Sequence, residues 1–254
     1  MKKVLLGILF PVILLSFSHL AAAQAASGSL DDQLLQASQD GNTATVQQLL
    51  GQGANIEAKN NFGFTGLILA AFWDRLDTVR LLLDKGANIE ARDKHGDTAL
   101  IYAAMMSGTE MVKQLLEKGA NIEAKNDQGS TGLIKAAYFN KIDVVKLLLD
   151  KGANIDAKDN RGDTALIWVV RNSSNVGLAK LLLEKGANIE AANNLGQPAL
   201  IGAIQLGKLD AVKLLLDEGA NIEAKDVNGH TALWWAVLGN RTDVVNLLQA
   251  KGAH

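Results

Sequence analysis

The sequence predicts an all-α solenoid, built from helix-turn-helix units joined by β-turn or hairpin loops. Three observations predict it. The phrase Gly86-Ala87-Asn88-Ile89-Glu90-Ala91-Arg92 returns almost letter for letter, opening at Gly53, Gly86, Gly119, Gly152, Gly186, Gly219 and Gly252, in steps of 33, 33, 33, 34, 33 and 33 residues. A second phrase keeps phase with it, from Thr65-Gly66-Leu67-Ile68 to Thr231-Ala232-Leu233-Trp234. Between the two phrases run two short apolar-periodic stretches per unit, neither long enough to be a stable helix alone in water. A fixed period of this size signals stacked units, each burying its apolar face on its neighbours.

Residues 1–25 read as a secretory signal peptide. Lys2 and Lys3 form its positive start, Val4 to Phe17 its apolar run, and Ala21 to Ala26 offers small-x-small cleavage near residues 23–25. The apolar run is shorter than the ~20 residues of a spanning helix, so no membrane attachment is expected after cleavage. A periplasmic or secreted location is expected. Residues 26–30 read as a short linker. The repeat array then occupies 31–254 as about seven units: 31–64 as an N-terminal cap, 65–97, 98–130, 131–163, 164–197, 198–230, and 231–254 as a C-terminal cap.

The first helix of the array, with Asp31, Asp32, Gln33, Gln36 and Gln39, carries the polar face that a terminal unit needs. Asn246 and Gln249 interrupt the last helix in the same spirit. Unit 98–130 serves as the template. Thr98 is a good N-cap. Leu100, Ile101, Ala103 and Ala104 form a first helix with a small-residue face, broken by Ser107-Gly108. Met111, Val112, Leu115 and Leu116 make the stripe of a second helix, which Gly119 stops in left-handed conformation. Asn126-Asp127-Gln128-Gly129 is turn chemistry.

Composition excludes several function classes. With 25 basic and 27 acidic residues the formal charge is −2, and without Lys2 and Lys3 about −4. Nucleic-acid binding, which wants a basic stripe, is not expected. The absence of cysteine rules out disulfides, thiolate metal sites and cysteine nucleophiles. His95 and His230 stand about four units apart, so no shared metal site is expected. Ser173-Ser174 has no catalytic company. The acids Glu57, Glu90, Glu123, Asp156, Glu190 and Glu223 recur once per unit, with Lys59, Arg92, Lys125, Lys158 and Lys225 two residues on. They read as a solvated, alternating edge. No cofactor, metal or catalytic residue is expected, and the chain is not expected to be an enzyme.

Helix, turn, helix, Gly-Ala-Asn and an Asn/Asp-x-x-Gly turn at 33 residues resemble the ankyrin repeat over about residues 31–254. The family's Thr-Pro-Leu-His appears as Thr-Ala/Gly-Leu-Ile. The resemblance therefore predicts that Ile68, Ile101, Ile134 and Ile167 replace a histidine's bonds by apolar burial, up to ~1.5–3 kcal/mol each. It also implies a non-enzymatic scaffold binding a protein partner through a concave surface of turn tips and first-helix ends. The helix-end pairs there are Phe72-Trp73, Met105-Met106, Tyr138-Phe139, Arg171-Asn172, Gln205-Leu206 and Leu238-Gly239. The first three are large and apolar, and Phe62 and Phe64 extend them from the preceding turn. Phe62, Phe64, Phe72, Trp73, Met105, Met106, Tyr138 and Phe139 are thus the expected protein-binding residues, with Arg75 and Lys141 as a polar rim. Phe72 and Tyr138 are the members with the alternative of folding into the core. Trp168, Trp234 and Trp235 read as packing. A monomer is expected. Some bacterial periplasmic ankyrin proteins are linked to catalase and peroxide defence, which the resemblance permits here. The alternative is a secreted effector binding host proteins. Residues 169–198 break the pattern: Val169-Val170 replaces Ala-Ala, Asn172 to Asn175 holds the extra residue, and Pro198 removes a threonine cap at about 1 kcal/mol.

Overall fold

The structure, a computed structural model, describes residues 28–172 and 176–253. The signal and cleavage readings, and Ser173 to Asn175 of the 34-residue step, lie outside the described residues. Fourteen helices and no strand are present among those described. They are α1 (Leu30–Asp40), α2 (Thr43–Gly51), α3 (Gly66–Phe72), α4 (Leu76–Asp84), α5 (Ala99–Met106), α6 (Thr109–Glu117), α7 (Gly132–Tyr138), α8 (Ile142–Asp150), α9 (Ala165–Asn172), α10 (Val176–Glu184), α11 (Ala199–Gln205), α12 (Leu209–Asp217), α13 (Ala232–Leu238) and α14 (Thr242–Ala250). The chain forms two compact units, one ending at Lys94 and one beginning at His95. The first holds α1–α4. There α1 packs on α3 and α2 on α4. The second holds α5–α14, where first helices stack in the order α5, α7, α9, α11, α13 and each packs on its own second helix.

Each first helix starts where the sequence places a cap. Thr65, Thr98, Thr131, Thr164 and Thr231 each accept the backbone N–H three residues on, at 3.3–3.4 Å. Pro198 makes no such bond. Replacing buried Thr164 by valine keeps the volume and deletes the acceptor. It is expected to lower the unfolding free energy by about 1 kcal/mol in urea denaturation.

The isoleucines that take the family histidine's place are sequestered: Ile68 and Ile101 are 0 % exposed, Ile134 and Ile167 1 %. Second helices contribute Leu82, Leu115, Leu148, Leu182, Leu215 and Leu248, all fully buried. Each second helix then ends in a left-handed glycine. In the template unit, Gly119 (φ 92°) donates to the carbonyl of Leu116 at 3.0 Å, and buried Ala120 to that of Leu115 at 3.0 Å.

The turns show what periodicity alone conceals. The once-per-unit acids do not merely face water. Glu57, Glu123, Asp156 and Glu190 each accept the backbone N–H of the asparagine in the next unit's Gly-Ala-Asn, at 2.7–3.0 Å. Asp31 does the same for Asn55 at 2.7 Å. The basic residues beside them also reach forward: Lys59 Nζ donates to the Arg92 carbonyl, Lys125 to that of Lys158, and Lys158 to that of Ala192. Within each of the two compact units, the edge read from sequence as solvated is a seam that joins one repeat to the next.

A second seam runs along the turn tips. The turns opening at Asn60, Asn126, Asp159, Asn193 and Asp226 are each closed by that first side chain, which accepts the N–H groups two and four residues on. Asn126 Oδ1 takes those of Gln128 and Ser130, both at 3.0 Å. The remaining side-chain atom follows the neighbouring unit. Where Asp97 or Asp163 precedes, the turn residue is Asn126 or Asn193, whose amide donates to that carboxylate at 2.8 and 2.9 Å. Where Ser130 or Gln197 precedes, the turn residue is Asp159 or Asp226, and an indole donates to it: Trp168 at 2.9 Å and Trp235 at 3.1 Å. At these four junctions the buried carboxylate thus meets an amide or an indole of a neighbouring element, so its charge is not left unpaired.

Asp226 illustrates the balance. Desolvation pushes its pKa up. Backbone N–H bonds from His230 and Asn228, the Trp235 indole and the adjacent His230 ring outweigh this and hold it below the usual 3.8. A depressed carboxylate contributes stability present above the ordinary value and lost as pH falls toward the folded one. Asp226→Asn is therefore expected to lose less stability than the parent between about pH 5 and pH 2, read as urea midpoints across that range.

At the last first helix, Val237 and Leu238 are 61 % and 62 % exposed, and Trp234 40 %. Asn246 and Gln249 of α14 face solvent. The polar outer face expected for this unit does not extend to α13.

Candidate functional site

First helices α3 and α7 stop at their aromatic pairs because the next residues enter the left-handed region. Asp74 has φ 58° and Asn140 φ 57°. The last two side chains of each hairpin arm are thereby left at its outer end. Template helix α5 ends differently. It runs one residue further, to Met106, and Ser107 caps it in extended conformation.

In the first unit, Phe62 on the turn tip is 48 % exposed, while Phe64, Phe72 and Trp73 are half-buried. Their rings form a chain: Phe62 to Phe64 at 6.1 Å, Phe64 stacked on Phe72 at 6.4 Å, and Phe72 edge-on to Trp73 at 5.3 Å. Edge-to-face and offset contacts at such distances favour ordered aromatic clusters. All four residues expected here are brought together.

In the second unit, Tyr138 and Phe139 are exposed and meet edge-on at 5.0 Å. Tyr138, with the alternative of folding into the core, is instead 41 % exposed. Met106 is half-buried, whereas Met105 is buried at 5 %. Met105 is thus a correction: one helical step turns it under the stack, and only Met106 reaches the surface. Lys141 and Arg75 do not form a free rim. Lys141 Nζ donates to the Met106 carbonyl at 3.1 Å, and Arg75 Nε to that of Gln39 at 3.0 Å, so each satisfies the end of the preceding first helix.

Trp168 corrects the sequence reading in the other direction. It packs, through its indole bond to Asp159, but it also lies edge-on to Tyr138 at 5.3 Å and half-exposed. It therefore continues the Tyr138-Phe139 cluster. Trp234 is likewise more than packing, stacked on His230 at 3.6 Å with one face in solvent. Trp235 keeps the packing role.

The sequence reading also missed Lys135 and Arg161. Lys135 occupies the register held by Leu69, Tyr102, Trp168, Gly202 and Trp235 in other units. Its ammonium donates to Gln128 Oε1 at 3.0 Å. Burial drives its pKa down, and the negative potential of Asp97 and Asp159 opposes that shift without cancelling it. Arg161 lies over the Trp168 ring at 6.0 Å. A signal was present in the chain: the nine-residue spacing Asp159–Trp168 recurs as Asp226–Trp235.

Among the described residues no group of three or more His, Asp or Glu side chains could hold a metal ion, and no helix is long and apolar enough to cross a membrane.

An all-α repeat solenoid with an aromatic surface at its helix ends defines a class built for contact with other macromolecules. The chain belongs to the ankyrin repeat family: the model for ankyrin repeats in three copies matches residues 34–126, 122–193 and 174–254. Among solved structures it is similar to the ankyrin repeat domain of Bcl-3, described as a unique member of the IkappaB protein family. Identity is 33 %, 85 % of this chain and 97 % of that one are covered, and the TM-score is 0.75. No curated protein sequence matches the chain. Ankyrin repeats generally mediate protein–protein interaction, and the fold is typically a non-enzymatic scaffold.

Proposed function

We propose that the protein is an exported, monomeric, non-enzymatic scaffold that holds a protein partner on the surface built by its turn tips and first-helix ends. The observation that carries this reading is the exposed Tyr138-Phe139-Trp168 cluster, supported by the Phe62-Phe64-Phe72-Trp73 chain in the first unit. Soluble proteins seldom leave such apolar clusters in water without a partner, and aromatic residues are enriched at interface cores. Export rests on the N-terminal sequence, which fits a periplasmic location. A supporting role in peroxide defence rests on the family resemblance alone.

Replacement of Trp73, Met106 and Phe139 by glutamate in the mature chain tests the binding reading. Capture from the exported fraction is expected to lose the partner recovered by the parent, with the helical circular dichroism unchanged. Equal recovery by the folded variant sinks it. The second reading, a secreted effector acting on host proteins, shares this surface. Fractionation separates the two, because periplasmic retention of the mature chain opposes it and release into the medium favours it.

A further inference from the structure

Resting on the binding reading above, we propose that the second unit's cluster recognises a carboxylate: its partner presents an Asp or Glu side chain flanked by apolar residues, and Lys135 receives that carboxylate beside Trp168 and Tyr138.

The electrostatic need of the Lys135 ammonium is met only in part by the protein. Lys135 is half-buried, and an ammonium partly withdrawn from water is stabilised by opposite charge or hydrogen bonds that replace its lost hydration. Lys135 has three N–H donors. Gln128 Oε1 takes one at 3.0 Å, and among the described residues no carboxylate lies within ion-pair distance of Nζ. The two acids that act on it at longer range are committed elsewhere. Asp97 Oδ1 holds the Asn126 amide. Asp159 Oδ1 closes its own turn on the N–H groups of Arg161 and Asp163, and Oδ2 holds the Trp168 indole.

Charge on this surface is sorted by depth. Asp97, Asp159 and Asp163 are buried at 8 %, 9 % and 1 %. Arg161 is exposed over the Trp168 ring, and Arg171, paired with Asp163 at 3.2 Å, keeps part of its guanidinium in solvent. Exposed Asp127, on the preceding turn tip, lies against Gly96. An approaching chain therefore meets Lys135, Arg161 and Arg171 beside the aromatic cluster, with Asp127 the exposed acid of the preceding turn and Asp97, Asp159 and Asp163 beneath the surface. An incoming carboxylate gains a charge-assisted hydrogen bond, and its apolar neighbours cover Tyr138, Phe139 and the Trp168 edge. Lysine also explains its own presence. Every other unit fills this register with an uncharged residue, and a charge there costs desolvation that a ligand's carboxylate would return.

The probe is a displayed library of random heptapeptides, selected on the full mature chain. The strongest binder is then synthesised beside a twin in which each Glu or Asp becomes Gln or Asn. The selected sequences are expected to place an acid next to aromatic or aliphatic residues. The acidic peptide should bind at least roughly tenfold tighter than its amide twin. Lys135→Met should erase that difference while leaving the twin's affinity unchanged, and Lys135→Arg should retain most of it. Nuclear magnetic resonance of the reductively methylated lysines should show the Lys135 pKa rising on binding. Peptides without acids, an amide twin that binds equally, a Lys135→Met loss shared by both twins, or no selected peptide at all would each overturn the proposal. A peptide that ignores Lys135 yet is lost on Phe139→Glu would overturn it while leaving the scaffold reading intact.

Discussion

Leu148→Ala is expected to cost about 2–5 kcal/mol of unfolding free energy, the range for a fully buried leucine whose cavity closes only in part. Leu148 is 0 % exposed and belongs to a file of leucines, Leu82, Leu115, Leu182, Leu215 and Leu248, equally closed to water. Helix α8 has nine residues, too few to persist without its neighbours. The lost packing therefore falls on the joint between hairpins. Leu149, one residue on, is only half-buried and should cost clearly less as alanine. Urea denaturation of both variants, followed by circular dichroism, makes the comparison. Equal losses, or a Leu148→Ala loss under about 1 kcal/mol, would contradict the assignment of this file as the core.

Gly162→Ala should be the second costly change, and Gly152→Ala its control. Both glycines have positive φ, 76° and 89°, so both variants pay for a left-handed alanine, on the order of 1 kcal/mol. Space separates them. A Cβ on Gly152 meets nothing within 4 Å, whereas one on Gly162 comes 2.7 Å from the backbone nitrogen of Asn194. That nitrogen donates to the Arg161 carbonyl at 2.9 Å and carries the turn-tip seam into the next hairpin. Relief thus requires moving backbone, not a side chain, and the cost should exceed the control by at least about 1–2 kcal/mol. Parallel denaturation curves of the two variants decide it. If they coincide, the close approach at Gly162 is not a constraint on folding.

The fold was legible because local signals agree at every level. Thr caps, leucine stripes and glycine stops repeat in one phase, so each copy corroborates the others. Side-chain engagements were less legible, because a period reports position and not partner. Glu123 and Lys125 look like solvated surface in a sequence, yet each bonds a main-chain group more than thirty residues away. Met105 and Met106 are indistinguishable by composition; only the extra residue of α5 and its extended Ser107 cap decide which is buried. Trp168, like Trp234 and Trp235, reads from the sequence as packing, yet its ring is only half-buried. Its edge-on contact with Tyr138 joins it to the adjoining hairpin, which no local pattern encodes.

The reach of the two seams has a kinetic meaning. Their bonds join residues only 24 to 34 positions apart, as in Asn55 to Asp31 and Lys158 to Ala192. Every such link closes a loop of nearly constant, modest length, and closure entropy grows only with the logarithm of that length. Assembly can therefore proceed as a zipper, each hairpin templating the next, and low contact order of this kind accompanies rapid folding. Duplicating one hairpin within the array lengthens the chain without lengthening any loop that must close.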